Sequence, residues 1–378
     1  MSFAMDRIFT GSGGTGGVRS AESENDADDR QSVFSGISDA PSIYSFNSSR
    51  DGLALLRLIQ GRTFNAQNDL YYMPADMPEF ARQEKEHFAH LVGVGRLYVE
   101  HEKVQRILSP TDGEQKRILD LGTGVGTWAI GMAQEFPHAE VIGLDLAPNT
   151  ASANLLPPNC RFEFDDFNLG LPHFHNSCDI IHGRIIAIGM KDFKWFITEV
   201  AKCLKPGGMF LMVEGDHNLW NSKKELQELA YGTGGPGQSW YARAMFEAAL
   251  TMQKRGSDID ARMKLYELIS SSQYFEDAGE HIHVFPIGPW EQGATPEDHQ
   301  RKQILGILER QSMIDLVQSL GPLFISEGYP KELVDQFIKG TEKELNELTV
   351  HMYIKWFYFF GTRNSIPIED EKAGGNDA

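Results

Sequence analysis

An α/β fold built on a mostly parallel sheet is what this sequence predicts, and three observations predict it. The stretch Arg117-Ile118-Leu119-Asp120-Leu121-Gly122-Thr123-Gly124-Val125-Gly126-Thr127 reads as a short buried strand that stops at a glycine-rich turn and opens a helix at Trp128. A second apolar run, Glu140 to Leu144, ends in the carboxylate of Asp145. Beyond it, short apolar runs at Cys160–Phe164, Cys178–His182 and Met209–Val213 alternate with loops and a helix-period segment, as in repeated βαβ units.

The glycine turn carries the first functional expectation. Glycine removes Cβ atoms where the backbone takes positive φ and approaches a ligand closely. The amides that open the following helix have no intrahelical partner and can bind an acceptor group. A strand–turn–helix–strand unit whose second strand ends in an acid is a place for a nucleoside. The spacing G-x-G-x-G, with Asp120 two residues ahead, differs from the G-x-G-x-x-G that leaves room for a pyrophosphate. Asp145 can accept two hydrogen bonds from a vicinal diol, each charge-assisted and worth about 1.5–3 kcal/mol.

At 378 residues the chain can bury an ample core in one large domain or two smaller ones. A formal net charge of −18 argues against a nucleic-acid surface, so no nucleic-acid partner is expected. No segment reaches the ~18 apolar residues needed to span a bilayer; Tyr353–Phe360 comes nearest, so no membrane association is expected. Cys160, Cys178 and Cys203 lack metal-ligand spacing and fit a reducing compartment. The cytoplasm is the expected location, with the nucleus as the alternative.

Residues 1–46 are rich in Gly, Ser, Asp and Asn and read as a disordered segment. Gly11–Gly17 has no strand before it and no Lys-Ser/Thr after it, so it is not read as a phosphate loop. Residues 47–110 read as a helical cap: a short helix near Tyr44–Phe64, then a turn at Tyr71–Pro78 leading into a helix over Glu79–Val92. Residues 111–220 form the nucleotide-binding core. In it, Asp165, Asp166 and Phe167 leave the third strand, His182 and Arg184 the fourth, and Glu214, Asp216 and His217 the fifth. Each group therefore emerges at the carboxyl edge, where open α/β sheets bind ligands. Residues 221–363 read as a helical lid or dimerisation element followed by the final strands. Its helices are expected at Glu225–Tyr231, Ser239–Lys254, Asp260–Ser271, Pro296–Leu320 and Pro330–Leu348, and its strands at His281–Phe285 and Val350–Phe360. His281 and His283 share one strand face but lack a third ligand nearby, so no metal is expected. Residues 364–378 read as a polar tail.

These motifs, spread over about three quarters of the chain, resemble one branch of the class I S-adenosylmethionine-dependent methyltransferases, the fungal LaeA-like and UMTA-like proteins. The matching pieces include Tyr72-Met73-Pro74-Ala75-Asp76 with Glu79 and Arg82, Ile118–Trp128, Glu140–Pro148, Pro157–Glu163, Asp179–Arg184 and Leu204–Gly208. Met73 departs from the Leu more frequent in the family. The resemblance implies an α/β, Rossmann-like fold with a seven-stranded, mostly parallel sheet, an antiparallel last strand, and N-terminal and inserted helices. It implies S-adenosyl-L-methionine as cofactor, with the Tyr-x-x-Pro-x-Asp segment folding over it. The cofactor-binding residues expected are Tyr72, Asp120, Gly122, Thr123, Gly124, Gly126, Thr127, Trp128, Asp145, Leu146, Asp165, Asp166, Phe167, His182 and Arg184. His182 is the first candidate base, and His217, Asp216 and Glu214 come next. The expected function is methyl transfer to a small-molecule acceptor of fungal secondary metabolism. A LaeA-type regulatory role through a protein partner, or a homodimer, is the alternative association. A nicotinamide-dependent oxidoreductase is disfavoured by the glycine spacing.

Overall fold

The computed structural model describes residues 55–148 and 156–368, all within the unit Ser42–Ala378. The expected disordered segment 1–46, with Gly11–Gly17, and most of the polar tail lie outside the described residues.

The chain enters as a hairpin, β1 (Leu56–Ile59) and β2 (Arg62–Asn65), and the helix expected near Tyr44–Phe64 does not form across it. Gln60 and Gly61 both take positive φ, 49° and 78°, as a two-residue hairpin turn requires. The Gln-Gly pair outweighs the helix-like density of leucines. Asp76 then caps helix α1 (Met77–Val94) by accepting the Glu79 amide, with Pro78 in the first turn where no N–H is needed. Helix α2 (His101–Ile107) leads into the core.

The core runs β3 (Arg117–Leu121), α3 (Thr127–Glu135), β4 (Glu140–Asp145), β5 (Cys160–Phe164), β6 (Cys178–Arg184), α4 (Phe193–Cys203) and β7 (Leu204–Gly215). A two-residue strand β8 (Trp220–Asn221) follows. The helix expected at Glu225–Tyr231 is absent. Asn221 Oδ1 accepts the amides of Lys223 and Glu225, Lys224 sits at φ 64°, and the chain continues extended. Next come α5 (Trp240–Lys254), a 3-10 turn at Ala261–Lys264, α6 (Leu265–Ser271), β9 (Phe275–Ile287), α7 (Pro296–Ser326), α8 (Lys331–Glu347) and β10 (Met352–Arg363). The single helix expected at Asp260–Ser271 is thus split at Leu265.

The strand order is β5-β4-β3-β6-β7-β10, with β9 beyond β10. Met352 of β10 pairs with both Asn221 and Ile287, and a strand has only two edges. Strand β8 therefore continues the line of β7, which leaves seven lines of strand. The pairs β5–β4, β4–β3, β3–β6 and β6–β7 are parallel, and β10 is antiparallel to both neighbours, as the family resemblance implies. Alternate residues feed two cores. Ile118, Val141, Ile180 and Met209 face one side, while Leu119, Ile142, Ile181 and Phe210 face the other.

The inserted helices α5, α7 and α8 pack on one another, and α7 also packs along α1. Polar contacts join α1 and α7. Arg82 donates to Glu79 (2.7 Å), Glu86 (2.9 Å) and Ser312 (3.4 Å), and Ser319 donates to Glu79 (2.8 Å). All five residues are buried, so each charge must be paired where it sits. Among the described residues no helix is long and apolar enough to cross a membrane.

Candidate active site

The strand order reverses between β3 and β6, so their carboxyl ends frame a crevice. Gly122, Gly124 and Gly126 cross its rim at φ 66°, 55° and 81°. A Cβ at Gly124 would collide with Oε1 of Gln83, so α1 presses directly on the turn. Asp145 supports the turn from below. Its Oδ2 accepts the Gly124 amide (2.8 Å) and its Oδ1 the Ala147 amide (3.0 Å). An ionised carboxylate has about four acceptor sites, so each oxygen retains capacity. Burial raises the Asp145 pKa, and the backbone donors oppose that rise.

A cavity of ≈ 180 Å³ opens above this turn. Of the expected cofactor residues, Gly122, Thr123, Gly124, Thr127, Asp145, Leu146, Phe167 and Arg184 line it. Sequence reasoning missed Tyr71, Gln83 and Val125, which line it as well. Gln83 Oε1 is buried there without a hydrogen-bond partner among the described residues.

The remaining expected residues lie off the cavity, each for a local reason. His182 is the main correction. Its Nδ1–H donates to Asp120 (2.7 Å), its ring stacks on Trp128 at 3.8 Å and 10°, and it is buried beneath the turn. Strand alternation puts His182 and Arg184 on one face, but His182 lies one step deeper. Burial also lowers its pKa despite Asp120. Asp120 takes the Thr123 hydroxyl (2.7 Å) on its other oxygen, and Trp128 donates to Leu97 O (2.8 Å). These three residues hold the turn from behind. Gly126 serves as the helix N-cap. Tyr72 turns away to pack on Phe64, with Arg255 over its ring, and its neighbour Tyr71 faces the cavity instead. Asp166 accepts from Asn68 and Asn168, and Asp165 accepts the Asp166 amide, so both acids organise the turn after β5.

Glu214, Asp216 and His217 all line the cavity where β7 finishes. Their states differ. Both oxygens of Asp216 are engaged, by the Asn218 amide (2.8 Å) and the Trp220 indole (3.0 Å). His217 Nδ1 accepts from Arg262, and burial with that neighbouring cation lowers its pKa. A neutral imidazole accepting at Nδ1 carries its proton on Nε2 and has no second lone pair to offer. Glu214 accepts the Ile186 and Ala187 amides (2.9 Å each), both on Oε1. Burial pushes its pKa up to about 7, although Arg262 and those amides pull against the rise.

Metal-ligand chemistry gathers elsewhere, at His175, Glu199 and Cys203. Glu199 Oε1 is already committed to the Leu171 amide (2.7 Å) and His175 (3.0 Å), and burial raises the Cys203 pKa. These contacts account for the cluster without an ion.

Residues 118–208 match the family model of a methyltransferase domain. With this sheet order and glycine turn, the protein is a class I S-adenosylmethionine-dependent methyltransferase, and S-adenosyl-L-methionine is its cofactor. It is 30% identical over 312 residues to the secondary metabolism regulator laeA of Coprinopsis cinerea, spanning 82% of this chain and 74% of that protein. It is 28% identical over 249 residues to the methyltransferase pytC of Aspergillus terreus, spanning 65% of this chain and 70% of the relative. Over 315 residues it is 27% identical to the protein-methionine methyltransferase laeA of Emericella nidulans, spanning 82% and 76%. The chain belongs to the LaeA-like family of these enzymes.

Proposed function

We propose that the enzyme methylates a hydroxyl of a small, largely apolar acceptor of fungal secondary metabolism, with Glu214 as the base. The observation that carries this reading is that the glycine turn and Glu214 line one and the same cavity. S-Adenosylmethionine supplies an electrophilic methyl on a sulfonium. The residues at the turn suit that cofactor. Asp145 would take the ribose hydroxyls, Gln83 Oε1 the methionine ammonium, and Arg184 its carboxylate. Arg184 lies one strand from the turn, and among the described residues it donates only to the ring of His87 (3.4 Å), whose pKa burial holds well below the usual histidine value.

The acceptor end is walled by Tyr241, Met245, Met252, Met313 and Trp356. Fixing a hydroxyl in line with the methyl can lower the barrier by about 7–11 kcal/mol. The sulfonium would supply the methyl and keep the electron pair of its broken S–C bond, and Glu214 would take the proton that the acceptor oxygen loses as the new O–C bond forms. A base with a pKa near 7 suits that role at neutral pH.

A protein acceptor is the competing reading, and the name of the Emericella nidulans relative supports it. The enclosing apolar wall from α5 and α7 favours a small molecule. Incubation with methyl-labelled cofactor and an extract of fungal small metabolites separates the two. Label in the organic phase is expected; label confined to protein would overturn the small-molecule reading.

A further inference from the structure

Three guanidinium groups line the cavity, and their partners differ. Arg82 is held by Glu79 and Glu86. Arg184 and Arg262 have no carboxylate within ion-pair distance among the described residues. Arg262 is almost wholly buried (5% exposed), and among the described residues its Nη2 meets only His217 and its Nε has no acceptor. Glu214, Asp216 and Asp260 act on Arg262 through space without reaching ion-pair distance, and its burial still lowers its pKa; a ligand that brings an anion into direct contact relieves that cost.

Resting on the reading that cofactor and acceptor share this space, the anions can be counted. S-Adenosylmethionine carries one carboxylate, which Arg184 takes beside the glycine turn. Arg262 lies two strands away, on the turn after α5 and beside the end of β7. One cation therefore remains for the acceptor. We infer that Arg262 binds an oxyanion or enolisable carbonyl oxygen of the acceptor, next to the hydroxyl that Glu214 faces. The acceptor class is a ring compound with an acidic hydroxyl beside a carboxylate or carbonyl, such as an ortho-hydroxy aromatic acid or a cyclic enol. A neighbouring anion by itself would raise the pKa of that hydroxyl, and the Arg262 cation offsets the rise, which eases proton loss to Glu214.

A competing account makes ionised Glu214 the counter-ion of Arg262, and the acceptor then needs no oxyanion. Calorimetry on the full chain saturated with S-adenosylhomocysteine distinguishes them. The probes are 2-hydroxybenzoate and 2-hydroxyacetophenone against phenol and 2-hydroxybenzyl alcohol. The first pair is expected to bind roughly ten-fold tighter. Arg262→Gln should erase that preference, Arg262→Lys should retain part of it, and both should keep the wild-type affinity for S-adenosylhomocysteine. Absence of the preference in wild-type protein, including absence of binding by every probe, overturns the inference and requires no variant to fold. A preference that persists in R262Q overturns it equally. Wild-type protein that fails to bind S-adenosylhomocysteine would bring down the reading of the cavity itself.

Discussion

Asp145 meets Gly124, its partner across the glycine turn, only 21 residues away in the chain, and does so through backbone amides. Elsewhere on the same cavity, Arg262 reaches His217 from 45 residues away, and walls come from α5, α7 and β10. The glycine turn, the proposed cofactor region, is thus built from local, directional backbone contacts that one motif can encode. The region proposed for the acceptor is assembled from side chains that meet only after the inserted helices have docked. On that proposal, the methyl donor's site can stay constant while the acceptor's site changes with the insertion.

The largest test of this contrast is Glu214→Gln. It should lower kcat by roughly 10²–10⁴-fold while leaving S-adenosylhomocysteine affinity unchanged. Since Glu214 must be ionised to accept a proton, the wild-type rate should rise with pH through about 7, and the variant should lose that limb. Initial rates across that range decide; loss of cofactor binding in the variant would mean that the two ends are not separable.

Arg82→Met breaks the seam between α1 and α7 and leaves Glu79 and Glu86 buried without their cation. Urea unfolding should show a loss of about 3–5 kcal/mol. A change below ~1 kcal/mol would mean that the seam is hydrated.

Asp145→Ala should weaken cofactor binding by about 2–4 kcal/mol, the lost diol bonds and the stranded Gly124 amide together. Calorimetry with S-adenosylhomocysteine measures it directly, and acceptor affinity in the preformed complex should change little.

The smallest effect has the opposite sign. Glu309 on α7 is fully buried, neither carboxyl oxygen completes a well-formed hydrogen bond among the described residues, and burial holds its pKa well above the usual carboxylate value although the nearby Trp356 indole opposes the shift. Glu309→Leu should therefore stabilise the fold by about 1–3 kcal/mol. The sign with pH follows from proton uptake. The folded state keeps the proton that the unfolded chain releases above its ordinary value of 4.5, so wild-type stability falls as pH rises past that value. The gain from Glu309→Leu should accordingly be larger at pH 8 than at pH 5, by thermal unfolding at each pH.

The sequence by itself determined the parallel core, the glycine turn and the acid that closes the second strand. Those features depend on short-range periodicity and on backbone angles that glycine alone adopts cheaply. It also brought Glu214, Asp216 and His217 to the correct sheet edge, because a strand end has a direction. Depth was not legible. Strand period reports which face a side chain takes, so His182 and Arg184 looked equivalent until packing put one against Trp128 and the other on the cavity. Tyr71 and Tyr72 were separable only by what each packs against. Gln83 reaches the turn from α1, and Arg262 reaches the end of β7 from beyond α5, so neither carries a mark in its local sequence. Tertiary structure alone decided which charges stay paired and which face the ligand, because desolvation depends on everything that surrounds a group in space.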